Sequence, residues 1–183
     1  MLYTRKGDKG MTTIFGCDQK ISKSSAIAEA LGALDEINSF LGLCKVHKES
    51  VSLKLSAVSF SEIIHKVQQN LFIIQAELAG AQKSISEDRI KEIEKIIDAV
   101  EKELPLIKTF FISGGTELSA LFDVARTIAR RAERRVVEVS EEGKQKISEN
   151  SLAYLNRLSS LLYALARLTN HKSGITEQIP DYH

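Results

Sequence analysis

The residues best suited to chemistry lie in one run, Ala125-Arg126-Thr127-Ile128-Ala129-Arg130-Arg131-Ala132-Glu133-Arg134-Arg135. At about 100° per helical residue, Arg126, Arg130 and Arg134 drift only about 80° in total. They stack along one stripe with Glu133 beside them, while Arg131 and Arg135 point elsewhere. Like charges four residues apart each cost roughly 0.2–0.5 kcal/mol, and this stripe accepts that twice. A nearby anion would offset the cost, and the guanidinium fork suits phosphate. The plainer alternative is a solvated basic face, partly neutralised by acids of other helices.

A second run, Thr4-Arg5-Lys6-Gly7-Asp8-Lys9-Gly10-Met11-Thr12-Thr13, mixes glycines, bases and hydroxyls. Glycines let backbone N–H groups approach a phosphate, and Thr, Lys and Arg add donors. The spacing is neither that of a P-loop nor G-x-G-x-x-G, and an ordinary N-terminus remains the alternative. Asp35 lies off the apolar stripe of its helix, either paired with an arginine of another helix or subunit, or solvated. Asn156, Tyr163 and Arg167 share one helical edge. Glu62-x-x-His65 has di-iron spacing, but such sites need a second copy and two further glutamates. No other histidine here has a Glu three residues before it.

Helices must position these groups. The only prolines among 183 residues are Pro105 and Pro180, which leaves long stretches free of a helix breaker. Apolar residues at steps of three and four predict helices over about 24–48, 51–83, 86–104, 116–142 and 144–171. Their stripes include Ile27, Leu31, Leu34, Asn38 and Leu41; Ile64, Val67, Leu71, Ile74 and Leu78; Ile90, Ile93, Ile97 and Val100; Leu118, Leu121, Ala125, Ala129, Ala132 and Val136; and Leu152, Leu155, Ser159, Leu162 and Ala166. Gly143 suits a helix end. Residues 1–23 read as irregular and 172–183 as a loose tail. Short connections make neighbouring helices antiparallel. The expected fold is all-α, one domain over 1–183: an up-and-down bundle of four or five helices, with five helices and ferritin-like topology the specific expectation.

Lys+Arg number 25 and Asp+Glu 24, a net charge of +1, which disfavours wrapping nucleic acid through overall charge. A helical nucleic-acid or polyanion binder using a local basic patch is the competing function. Cys17 and Cys44 lack C-x-x-C spacing and read as reduced thiols in the cytoplasm. Met1–Gly10 lacks the apolar core of a signal peptide, and no run is long enough to span a bilayer.

The order of these blocks along nearly the whole chain resembles that of the PduO-type cob(I)alamin adenosyltransferases. The blocks are Thr4-x-x-Gly7-Asp8-x-Gly10-x-Thr12, Gly32-x-x-Asp35-Glu36-Ile37-Asn38-Ser39, Gly114-Gly115 with Ala125 to Arg134, and Asn156-Arg157-Leu158-Ser159. The resemblance implies a homotrimer of five-helix bundles with sites between subunits. It implies transfer of the 5′-deoxyadenosyl group of ATP to the cobalt of cob(I)alamin, with release of triphosphate.

By that resemblance residues 1–23 are a nucleotide-binding loop, with Thr4, Arg5, Gly7, Asp8, Gly10 and Thr12 around the ATP phosphates and Mg²⁺ held mainly through those phosphates. Lys23 matches a further phosphate contact, with Lys20 the alternative. Arg126, Arg130, Glu133, Arg134 and Asn156 match ATP-contacting positions. Asp35 matches a carboxylate that pairs with Arg126 across the subunit boundary. Phe110 matches an aromatic residue that presses on the lower corrin face and displaces the axial base, with the adjoining Phe111 as its rival. The catalytic set so implied is Arg126, Arg130, Asp35 and Phe110. A flavin-type reductase and a B12-dependent enzyme are the implied protein partners. The chain departs from the family pattern at Ser113, where proline is common, and at Ser160, where an acid is common.

Overall fold

Hydroxyl caps set where most of the helices start. In this computed structural model, which describes residues 3, 5–14, 20–143 and 145–182, the elements are β1 (Met11–Thr13), β2 (Lys20–Ser22), α1 (Ala26–Val46), α2 (Lys48–Ser52), β3 (Lys54–Leu55), β4 (Val58–Ser59), α3 (Phe60–Leu78), α4 (Glu87–Glu103), α5 (Glu117–Glu141) and α6 (Glu149–Lys172). Ser25, Thr116 and Ser148 each accept from the backbone N–H three residues on, starting α1, α5 and α6. Ser59 and Glu62 form a reciprocal capping box at the start of α3. Ser86 precedes α4 without a side-chain cap bond.

The chain is thus a single-domain helical bundle, with two differences from the expected elements. The helix expected over 51–83 is shorter. A single-turn α2 and the β3–β4 hairpin occupy 48–59, and the capping box fixes the true start at Phe60. Gly80, at φ 93°, ends the helical path before Lys83. The described residues therefore hold six helices, five long and one short. Residues 1–23, expected to be irregular, contain the antiparallel pair β1–β2, with Met11 opposite Ser22 and Thr13 opposite Lys20.

Side-chain pairs give the helix directions. His47–Glu117 and Arg131–Glu36 run α1 against α5. Glu133–Asn156 and Thr116–Asn170 run α5 against α6. Arg157–Glu94 and Lys172–Glu103 lay α4 parallel to α6. Helices α1 and α3 pack together, α5 sits between α1 and α6, and α6 lies between α5 and α4. The 104–116 connection must therefore cross the C-terminal end of α6 to reach the start of α5. This crossing builds the site.

The core is continuous, running through Leu34, Ile37, Leu41, Ile64, Leu71, Ile74, Phe122, Leu155, Leu158 and Leu162. Ala125, Ala129 and Ala132 are almost wholly buried; their small side chains let α5 approach both neighbours closely. Asn38, expected on the inward face of α1, is buried. Within the segment after α6, Arg167 holds Glu177, and the Ile112 N–H donates to the Gln178 carbonyl at 2.8 Å. No helix of the described residues is long and apolar enough to cross a membrane.

Candidate active site

Gly114-Gly115 turns the crossing loop into α5. Gly114 has φ 118° and Gly115 φ 112°, a region that L side chains rarely adopt. A Cβ on Gly115 would also fall 2.2 Å from Asn170 Oδ1. Asn170, near the end of α6, is the brace. Its amide donates to the Gly114 carbonyl at 2.8 Å, and its oxygen accepts from the Thr116 N–H at 3.1 Å. Ser119 Oγ donates to the same carbonyl, and Asp123 Oδ2 accepts from the Gly114 N–H at 3.0 Å. The turn is thereby fixed against the two helices that carry the polar groups.

Beneath the loop lies a cavity of about 530 Å³. Ile107, Lys108, Thr109, Phe110, Phe111 and Ser113 line it from the loop, Arg126 and Arg130 from α5, and Ser159, Ser160 and Tyr163 from α6. A second cleft of about 370 Å³ is walled by Arg130, Glu133, Arg134, Val137, Glu138, Glu141 and Asn156. The first is aromatic and apolar on its loop side; the second is polar. Arg130 belongs to both, so the arginine stripe joins them.

The arginines are poorly satisfied within the protomer. Arg126 Nε lies 3.8 Å from Asp123 Oδ1, too far for a hydrogen bond. That buried N–H has no acceptor, a condition that costs roughly 1–3 kcal/mol. Its guanidinium carbon sits 5.8 Å from the centre of the Tyr163 ring. Burial pushes the Tyr163 phenol up, partly opposed by Arg167 and Arg126. Arg130 and Arg134 are exposed and make no ion pair among the described residues. Arg131 and Arg135, off the stripe, pair with Glu36 and Glu138. The two classes read from helical spacing are therefore distinct in their bonding. Asn156 donates to Glu133 at 3.0 Å and accepts from Arg157, which holds it at the lip of the polar cleft.

In the N-terminal block, Arg5 (φ 58°) and Gly10 (φ 75°) adopt left-handed conformations. The Gly10 N–H donates to the Gly7 carbonyl, and the Lys23 N–H donates to the Gly10 carbonyl. Lys23 Nζ lies over Gly7, 3.0 Å from where a Cβ would stand. Lys20 instead pairs with Thr13 in the hairpin. Lys23 is thus the lysine that the fold brings to the glycine loop, beside exposed Asp8. Thr12 lies on β1. Thr4, with Gly16, Cys17 and Lys144, lies outside the described residues.

Asp35 is exposed on α1 and forms no ion pair among the described residues; it does not meet Arg126 within the protomer. Phe110 is 77% exposed at the cavity wall, whereas Phe111 is half-buried with Arg167 over its ring at 4.9 Å. Glu62 of the Glu62-x-x-His65 pair is bound to the Ser59 N–H at 2.7 Å as a cap, and that bond holds its carboxyl below the usual range. Cys44 is a buried thiol. Sequence reasoning missed Asp123 and Ser119, which bond back to Gly114 from the first turns of α5, and Asn170, which reaches it from the far end of α6. The glycine pair was the one local sign that such a brace was needed.

Comparison with known proteins places this geometry. The cobalamin adenosyltransferase family model matches residues 2–169. A corrinoid adenosyltransferase of Bacillus subtilis is 37% identical over 178 residues, covering 95% of this chain and 89% of the relative. A human corrinoid adenosyltransferase is 32% identical over 188 residues, covering 97% of this chain and 72% of the relative. A variant PduO-type ATP:corrinoid adenosyltransferase from Lactobacillus reuteri, solved with cobalamin and ATP, superposes with a TM-score of 0.87 at 32% identity, covering 98% of this chain and 99% of that one. Another variant of that enzyme, solved with ATP, gives a TM-score of 0.87, also at 32% identity. On these matches the chain belongs to the PduO-type corrinoid adenosyltransferase family.

Proposed function

We propose that the polar cleft holds ATP, that the cavity under the loop holds the corrinoid, and that Arg130, the wall common to both, marks where the reactants meet. The chain is an ATP:cob(I)alamin adenosyltransferase, forming adenosylcobalamin. The single observation that carries the assignment of clefts is the bonding contrast along α5: among the described residues Arg130 and Arg134 make no ion pair, whereas Arg131 and Arg135 do.

The reaction asks little acid–base chemistry of the protein. Cobalt(I) of the substrate supplies the electron pair that forms the Co–C5′ bond. The C5′–O bond breaks with its pair leaving on the triphosphate, and the cobalt ends formally as cobalt(III). The protein must align the two reactants, a contribution of up to roughly 7–11 kcal/mol, and stabilise the developing charge on the leaving group. Arg126, Arg130 and Arg134 face that charge. Glu133 and Asn156 hold the polar edge of the nucleotide, and Arg5, Gly7, Asp8, Gly10, Thr12 and Lys23 close over the phosphates.

A Mg²⁺ fits this donor set as a nucleotide-borne ion. Among the described residues no group of three or more His, Cys, Asp or Glu side chains gathers to cage one, and Mg²⁺ commonly takes one or two carboxylates plus phosphate oxygens. When bound it would neutralise triphosphate charge. Phe110 presents its ring to the corrin cavity and shields the lower face of the cobalt from water and from its axial base, which eases reduction of cobalt(II). Phe111 is turned to Arg167.

A homotrimer with sites between subunits follows from the same reading, as does the expected five-helix, ferritin-like core. It is supported by Asp35, whose exposed carboxylate forms no ion pair among the described residues of its own protomer. A flavin-type reductase would deliver the electrons and a B12-dependent enzyme would take the product in the cytoplasm. Anaerobic incubation with ATP, Mg²⁺ and chemically reduced cobalamin tests the activity. The spectrum should move to that of an alkylcobalamin, and an unchanged cob(I)alamin spectrum would refute the function.

A further inference from the structure

Arg167 is 5% exposed, a rare condition for a side chain that is always charged. It sits one helical turn beyond Tyr163 on α6. Its Nε donates to both oxygens of Glu177, at 3.1 and 2.9 Å, and its Nη2 reaches the same carboxylate at 2.9 Å. The face of the guanidinium covers the ring of Phe111. Glu177 belongs to the segment after α6, and the next residue, Gln178, accepts from the Ile112 N–H at 2.8 Å. The C-terminal segment therefore bonds to the crossing loop directly at Ile112 and reaches it indirectly through Arg167 of α6, whose guanidinium it holds against Phe111.

The grip bears on Phe110. The loop has no secondary structure of its own across 105–113, and Leu106, Ile107, Phe110 and Ile112 are all exposed. Beyond the double-glycine turn, the anchors that the structure gives its distal half are the stacking of Phe111 on Arg167 and the Ile112–Gln178 bond. Both rings line the cavity; Phe111 is stacked on Arg167, and the exposed Phe110 ring is the one left free at its wall. Arg167 is absent from the walls of the cavity that contains Phe110 and lines two neighbouring clefts, one of about 270 Å³ with Phe111, His171 and Glu177 and one of about 380 Å³ that shares Ile107, Ser160 and Tyr163 with that cavity.

We propose, resting on the assignment of that cavity to the corrinoid, that Arg167 and Glu177 are positioning residues. Their ion pair clamps the loop through Phe111 and so sets where the Phe110 ring meets the lower face of cobalamin. Neither residue touches ATP.

Full-length Glu177→Gln and Glu177→Asp are the test. Glu177 lies outside the helices, and thermal unfolding checks that both variants fold. The proteins are mixed with ATP and cob(II)alamin, and the fraction of cobalt(II) freed of its axial base is read by electron paramagnetic resonance. ATP binding is measured alongside, and turnover is measured with reductant. For Glu177→Gln the base-free fraction is expected to fall severalfold and kcat by about tenfold, with ATP affinity unchanged, and Glu177→Asp should recover part of both. A wild-type base-free fraction and kcat in Glu177→Gln would overturn the positioning role, as would a loss of ATP affinity matching the loss of turnover. If the unaltered protein neither frees the base nor makes adenosylcobalamin, the corrinoid assignment itself fails.

Discussion

Replacing Arg130 by alanine separates a binding role from a structural one, because the side chain makes no bond to a described residue and is exposed. Its removal deletes no hydrogen bond or ion pair among the described residues. Repulsion from Arg126 and Arg134, each four residues away, is relieved by roughly 0.2–0.5 kcal/mol apiece. For a domain of this size about 1 kcal/mol moves the melting temperature by roughly 2–4 °C, so Arg130→Ala should melt at the wild-type temperature or up to about 4 °C above it. Activity should respond in the opposite sense. Losing one preorganised donor to a developing anion typically costs about 3–4 kcal/mol, or roughly 10²–10³ in rate. Scanning fluorimetry gives the first quantity, and anaerobic formation of the cobalt–carbon product gives the second. Wild-type turnover would remove Arg130 from the mechanism. A melting temperature lowered by several degrees would show that the arginine is structural.

Phe110→Ala should lower the rate of cobalt(II) reduction at least tenfold while leaving the ATP dissociation constant within about twofold; equal loss of ATP binding would make the ring a packing residue. Gly115→Ala forces a methyl against Asn170 at a backbone φ of 112°, and should destabilise by about 2 kcal/mol or more, read as a lower melting temperature. A neutral result would refute the brace. Burial pushes the Cys44 thiol and the Tyr154 phenol each up to about 12. The unfolded chain sheds these protons nearer pH 9 and 10, so it binds fewer protons than the native state in this window. Stability should therefore fall by a few kcal/mol between about pH 9 and 12 and be unaffected by these groups below pH 9. Denaturant melts across that range test it, and a flat profile would contradict the burial of both groups.

What could be read along the chain was what is local. The stripes of α1, α4 and α5 are periodic in their own sequence, and so is the separation of Arg126, Arg130 and Arg134 from Arg131 and Arg135. The start of α3 was also present locally, as Ser59-x-x-Glu62, and the apolar stripe read for that helix begins only at Ile64, while Val51, Leu53 and Leu55 alternate with polar residues. The hairpins were hidden because strands of two or three residues are too short to carry a pattern of their own. The pairs that shape the site, Gly114 with Asp123 and Asn170, and Arg167 with Glu177 and Phe111, depend on a loop crossing the end of a helix. No spacing rule encodes such a crossing. Asp35 illustrates the remaining class: its exposure on one protomer acquires meaning only against a second copy.

The central claim is that the polyphosphate of ATP lies along the α5 arginines, and a crystal structure of the protein with bound ATP tests it most directly. Triphosphate oxygens should stand within hydrogen-bond distance of the guanidinium groups of Arg126 and Arg130, with Glu133 and Asn156 at the polar edge. Electron density for the nucleotide elsewhere, with those arginines untouched, would contradict it.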